Sequence, residues 1–184
     1  MKDKMFKVSV LFFIFVISLV LVASSVNAES SEGNSTEILT LSKGGISINY
    51  PSDWGYSKAT SNDSIMAISK LDSIDSSKIG QVNINFEKRP IEGDFNTFVN
   101  STYNSMLYDS SFKLISSGEV LLGDKNALEY TYISHNDNGG EREHKAIWFE
   151  KGGQAYVMLY SAPVDQFESN SYVFDYILAD IQIR

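Results

Sequence analysis

Cysteine does not occur anywhere in the 184 residues. Disulfides, thiolate nucleophiles, iron–sulfur clusters and cysteine-ligated metals are thereby excluded, and no cofactor is expected. Histidine is nearly as scarce. His135 and His144 are the only two, which leaves little material for a Ser-His-Asp relay, and neither a Gly-x-Ser-x-Gly elbow nor a His-Glu-x-x-His helix is present. Basic residues are outnumbered, 15 against 23 acidic, for a formal net charge of -8. A surface of that sign repels phosphate backbones and anionic lipid headgroups, so nucleic acid is not an expected partner. Proline is limited to Pro51, Pro90 and Pro163, and each reads as an element boundary.

A long apolar run occurs only at the N-terminus. Met1 to Lys7 carries three lysines against one aspartate, Val8 to Ala23 is almost wholly apolar, and Val26-Asn27-Ala28 sets small residues at the cleavage positions. This is the pattern of a secretory signal peptide over residues 1–28, cleaved after Ala28 to give a secreted or cell-surface protein. An uncleaved anchor is the other reading, because the run exceeds a usual signal core yet falls short of the ~20 residues a span prefers; membrane contact is expected only in that case. Residues 29–37 contain no large apolar residue and read as a flexible linker. Residues 38–184 then form one domain without internal repeats. Asn34, Asn62 and Asn100 begin Asn-x-Ser/Thr sequons, which makes the exported chain a candidate glycoprotein.

Gln154 to Ala162 is apolar on both faces, with Tyr156, Met158 and Tyr160 on one side and Ala155, Val157 and Leu159 on the other. Such a strand belongs in mid-sheet, covered on both sides. Lys151-Gly152-Gly153-Gln154 supplies a two-residue hairpin turn, which opposes Phe149 to Tyr156 and Trp148 to Val157. Around this pair the chain predicts a hairpin about Gly44-Gly45, with Trp54 plugging the core end. Strands follow at Ser64 to Lys70 and at the alternating Val82, Ile84 and Phe86. A helix capped by Asp94 runs to about Tyr108, and a meander of strands begins at Phe112, with turns at Gly123 to Asn126 and around Asn138-Gly139. After Pro163 helical spacing returns, with Ser169-Asn170-Ser171 placed to split it into two helices. The expected class is α+β, an antiparallel sheet with a helix layer on each face.

Tyr50-Pro51-Ser52-Asp53-Trp54, Gly123 followed by Ala127-Leu128-Glu129-Tyr130, Gly153-Gln154-Ala155-Tyr156-Val157 and Phe174 to Ile183 occur in an order and spacing that resembles the PsbP-like family. That family is named for the extrinsic lumenal subunit of plant photosystem II. The resemblance covers about Ile38 to Arg184 and implies an antiparallel sheet sandwiched between helices (α/β/α). It implies little about activity, since the family includes the photosynthetic subunit, a yeast import factor that binds a small GTPase, and many secreted prokaryotic proteins, none of the best known an enzyme. The plain secretory leader departs from the photosynthetic members, and no photosystem role is carried over.

Two candidate sites come from the residues. Pairing outward from Asn138-Gly139 opposes His135 to Arg142 and Ile133 to His144, which makes the histidines diagonal neighbours on one sheet face, with only Asp137 or Glu141 near enough to complete a weak metal site. That cluster supports a metal-dependent hydrolase as the alternative function. Some photosynthetic relatives do bind divalent metals, but no family motif falls on these positions. The second site is the helix Asp94 to Tyr108, where Tyr103 and Tyr108 among small polar residues make a candidate surface for an envelope protein or glycan. With no catalytic constellation in the chain, the favoured function is a non-catalytic binding or scaffold domain outside the cell.

Overall fold

Among residues 36–59, 61–135 and 140–184, which the computed structural model describes, the chain forms ten strands and two α-helices. In order these are β1 (Ile38–Lys43), β2 (Ile46–Pro51), β3 (Trp54–Tyr56), β4 (Ser64–Lys70), β5 (Asn83–Pro90), α1 (Phe95–Met106), β6 (Phe112–Leu122), β7 (Lys125–His135), β8 (Glu141–Lys151), β9 (Gln154–Pro163), α2 (Val164–Asp180) and β10 (Gln182–Ile183). The proposed leader 1–28, most of the linker, Asn34 and Asp137 lie outside the described residues.

The main sheet is seven-stranded and antiparallel, in the order β3-β4-β5-β9-β8-β7-β6. Its centre is set by the β8–β9 turn, where Gly152 and Gly153 take φ of 59° and 70°, values a side chain would resist. Phe149 therefore opposes Tyr156, Ile147 opposes Met158, and Trp148 opposes Val157, the pairing that the sequence predicts. β5 lies against the other side of β9. Because the strand that follows β5 is the far edge β6, the chain between them must cross the sheet, and α1 makes the crossing with its apolar stripe turned inward. Asp94 starts it: its side chain accepts a hydrogen bond from the Thr97 amide at 2.9 Å.

The two faces of β9 belong to different cores. Tyr156, Met158 and Tyr160 pack with Phe167, Val173, Phe174 and Ile177 of α2. Ala155 and Val157 pack with Val99 and Tyr103 of α1, Tyr130, Tyr132 and Trp148, and Leu159 lies at the margin of that cluster. The molecule is mostly sheet, with a large antiparallel sheet and two helices.

Several boundaries differ from expectation. β1, β2 and β10 form a separate three-stranded sheet, whose Ile46, Ile48 and Tyr50 join the α2-side core. The closing segment Phe174 to Ile183 is not helical throughout: α2 ends at Asp180, and Gln182 and Ile183 pair with Ser47 and Ile46 of β2. Ser169-Asn170-Ser171 does not interrupt α2 either. The Ser169 hydroxyl and the Asn170 amide donate to the Gln166 carbonyl, and the Ser171 hydroxyl donates to that of Glu168, so these side chains bond within the helix instead of capping a second one. α1 stops at Met106, and the β6–β7 connection is a two-residue turn at Gly123-Asp124, with Leu122 opposite Lys125.

Candidate functional site

The expected histidine cluster is not assembled. β7 and β8 pair one residue out of the predicted register, with His135 opposite Glu141 and Tyr132 opposite His144. Side chains alternate across a strand, so a single-residue slip moves one member of the pair to the other face, and His135 and His144 project from opposite sides of the sheet. The observed register leaves an odd number of residues between His135 and Glu141, whereas centring on Asn138-Gly139 presumes an even one. His135 is exposed, with Nε2 2.9 Å from Glu141 Oε1 and Nδ1 3.1 Å from the Ser111 carbonyl. Among the described residues no group of three or more His, Cys, Asp or Glu is placed to hold a metal.

The tyrosine pair divides as well. Tyr103 is 5% exposed, stacks on Tyr130 at a ring separation of 3.7 Å and accepts a 2.8 Å hydrogen bond from Trp148 Nε1. Burial pushes its phenol well above the usual range, so it stays neutral. Tyr103 is a core residue of the α1-side cluster. Tyr108, just past the end of α1, is 93% exposed.

The structure instead brings together residues that sequence reading treated as the polar sides of strands. α1 covers β7, β8 and part of β9, and the remainder of that sheet face holds a cavity of about 390 Å³. Its floor includes Asn83, Asn85 and Glu87 of β5 and Ser161 of β9, with His144 and Arg142 of β8 alongside. Asn83 opposes Ser161 and His144 also opposes Ser161, so three strands deliver polar side chains to one spot. A second hollow against α1, of about 220 Å³, shares Glu87 and Leu159 with the first, so the two adjoin.

Two loops wall the cavity. One carries Lys58 and Ala59; the other carries Ile79, Gly80 and Gln81, and the amide of Lys58 donates to the carbonyl of Lys78 to tie them. Asp75 shapes the second loop by accepting from the amides of Ser77 and Ile79, and the Ser77 hydroxyl holds its carboxyl below the ordinary range. Its other oxygen accepts from Gln81 Nε2 at 3.2 Å. Gln81 in turn accepts from Arg142, through its carbonyl at 2.6 Å and Oε1 at 3.1 Å. Gly80 packs against β4 so closely that a Cβ there would lie 2.1 Å from the Ser69 side chain.

The charges on the floor are arranged unequally. Glu87 is 5% exposed, yet its oxygens accept from Asn85 Nδ2 at 2.8 Å and from Arg89 at 2.7 Å. Arg89 Nε also lies 3.2 Å from Asp63, an ion pair without hydrogen-bond alignment. His144 is held between two hydroxyls, with Nδ1 2.7 Å from Ser161 Oγ and Nε2 2.8 Å from Ser134 Oγ, and its ring stacks on Tyr132. Burial, with a smaller contribution from Arg142, lowers its pKa to about 4, so at neutral pH it is an uncharged donor and acceptor. Among the described residues the hydrogen-bond partners of this imidazole are hydroxyls and not a carboxylate, unlike the histidine of a Ser-His-Asp relay. Sequence reading missed these residues because their meeting depends on β5 lying beside β9, a long-range pairing that leaves no local signal.

No curated protein matches the sequence significantly. The fold is similar to that of cyanobacterial PsbP (CyanoP) from Synechocystis sp. PCC 6803, at 15% identity and TM-score 0.59 over 88% of this chain and 100% of that one. It is also similar to LpqN of Mycobacterium tuberculosis, a protein involved in cell envelope biogenesis, at 15% identity and TM-score 0.56 over 83% and 87% of the two chains. At such identities the likeness speaks for the fold alone. The sequence itself, however, matches the model for PsbP-like protein across residues 10–183. With the antiparallel sheet, its two helices and the motif order all in agreement, the chain belongs to the PsbP-like protein family.

Proposed function

We propose that this protein is an exported, non-catalytic binding domain that takes a polar envelope ligand in the cavity beside α1. The observation that carries the reading is the cavity itself, a concavity of about 390 Å³ whose polar groups are fixed by neighbours and whose only histidine lacks an acid partner. Of the two expected partner classes, a glycan suits it better than a protein surface, which meets a flatter patch with an apolar centre. On this reading residues 1–28 are a leader, 29–37 a linker and 38–184 the domain, layered α/β/α with α1 leaving part of its face open. Export is supported by the basic, apolar and small-residue order of the N-terminus. Among the described residues no helix is long and apolar enough to cross a membrane. Asn62 and Asn100 are exposed, so both sequons are open to modification.

The test uses the immobilised full chain and saccharides prepared from the producing cell's envelope. Ala59→Trp puts an indole into the cavity from its loop wall and should abolish retention while leaving the melting temperature within a degree or two. Equal retention by wild type and variant, or none by either, removes the cavity from consideration. N-terminal sequencing of the exported form should begin at Glu29, and an intact Met1 would support the anchor.

A further inference from the structure

The feature of the cavity left without a use is Arg142. Its guanidinium is partly buried and donates to two acceptors of Gln81, both neutral. Among the described residues no carboxylate lies within ion-pair distance of it. A guanidinium has five N–H donors in a planar fork, so bonds to Gln81 leave donors over, and a planar anion meets them in pairs. Burial lowers the pKa of Arg142, which is the mark of a cation kept partly from water without a nearby anion to offset it.

The rest of the lining points the same way. Lys58 adds a second cation at the loop wall, while the one acidic group, Glu87, is already held by Arg89 and Asn85. The cavity lining is thus locally positive, Lys58 and Arg142 against Glu87, on a chain whose net charge of -8 repels anions at longer range. Beyond the charge, Asn83 and Ser161 provide amide and hydroxyl groups that both donate and accept, and Ala67 and Leu159 give apolar contact to a C–H face. A hollow of about 390 Å³ lies within the size range of small-ligand sites, roughly 300 to 1,000 Å³.

We infer that the cavity takes a small polyhydroxylated carboxylate of uronic-acid size, with Arg142 pairing its carboxylate and the amide and hydroxyl floor pairing its ring hydroxyls. This rests on the reading of the cavity as a binding site and names the class of ligand for it. Anion recognition and cavity binding separate experimentally because a neutral sugar of the same ring size lacks only the carboxylate.

The experiment measures binding of D-glucuronate and D-glucose to the full chain by calorimetry and by the shift in melting temperature. Glucuronate should bind at least tenfold more tightly than glucose, more weakly as salt is raised, and at least tenfold more weakly to Arg142→Gln. Arg142→Lys keeps the charge without the fork and should fall between the two. If Arg142→Gln does not fold, the wild-type comparison of the two sugars and the salt series still decide. Glucose binding as tightly as glucuronate, with both lost in Ala59→Trp, would overturn the anion assignment and leave the cavity as a site. Binding of neither sugar also overturns it, and envelope saccharide retention then judges the cavity independently. Glucuronate binding that Arg142→Gln leaves unchanged assigns the anion elsewhere and overturns the proposal.

Discussion

At the scale of single residues, the imidazole of His144 governs how stability depends on pH. Folding depresses its pKa from 6.5 to about 4, so between those values the unfolded chain holds a proton there that the folded chain does not. Stability therefore falls as pH drops through that window, by roughly 2 to 3 kcal/mol for a shift of this size. Urea melts at pH 7 and pH 4.5 should show that loss in the wild type, and a flatter profile in His144→Gln. Glu143, whose pKa is raised, works in the opposite direction but is common to both chains and cancels. Asp75, Asp94 and Asp109 are held low by their hydrogen bonds and respond mainly below the window. Parallel profiles for the two proteins would show that the imidazole is not the source. Tyr103 and Tyr108 make a second comparison. Tyr103→Phe strands the buried Trp148 N–H and should cost about 1 to 3 kcal/mol, whereas Tyr108→Ala, at a position 93% exposed, should stay within about 0.5 kcal/mol of wild type in the same melts.

At the scale of elements, β9 separates the two cores, and a carboxylate at Val157 would lie opposite Glu87, which already takes the Arg89 guanidinium. Val157→Asp should unfold the domain, because an unpaired buried carboxylate costs several kcal/mol, a large fraction of a small domain's stability. Cooperative melting of that variant near the wild-type temperature would refute the placement. Gly80→Ala acts on the cavity instead: a Cβ 2.1 Å from Ser69 must displace the loop that carries Gln81, so ligand affinity should fall at least tenfold while the β4–β5 pairing persists, as read by calorimetry and amide exchange. How much of this was legible in the sequence follows from the connections. The β8–β9 register could be read because Gly152-Gly153 admits one tight turn, and α1 because Asp94 announces its start. The β7–β8 register could not, since its longer connection leaves the count open by one, and one residue suffices to part the two histidines. Asn83, Asn85 and Glu87 looked like the solvent side of a strand; Asn85 and Glu87 are in fact buried, under neighbours distant in sequence.

At the scale of the whole molecule, the two tryptophans report on different cores. Trp54 sits in the α2-side cluster and Trp148 in the α1-side cluster. Because both cores share β9, the domain should melt as one unit, and fluorescence transitions of Trp54→Phe and Trp148→Phe should each coincide with loss of the β-sheet circular dichroism signal of the same protein. Separate transitions within either variant would mean that the cores unfold independently. Trp54→Phe should be the milder change, since among the described residues that indole N–H meets no acceptor, whereas Trp148→Phe removes the bond to Tyr103. The small sheet has a mechanical consequence. β1 and β10 are both antiparallel to β2, on its two sides, and so run in the same direction as each other. A pull that draws Ile38 and Ile183 apart acts along the strands, so it strains the hydrogen bonds between them in shear instead of opening them one at a time. β10 contributes only two residues to that sheet, which makes the β2–β10 seam the point where the domain should yield first under tension, with Lys151 Nζ of β8 donating to the Ile183 carbonyl as a second tie on β10.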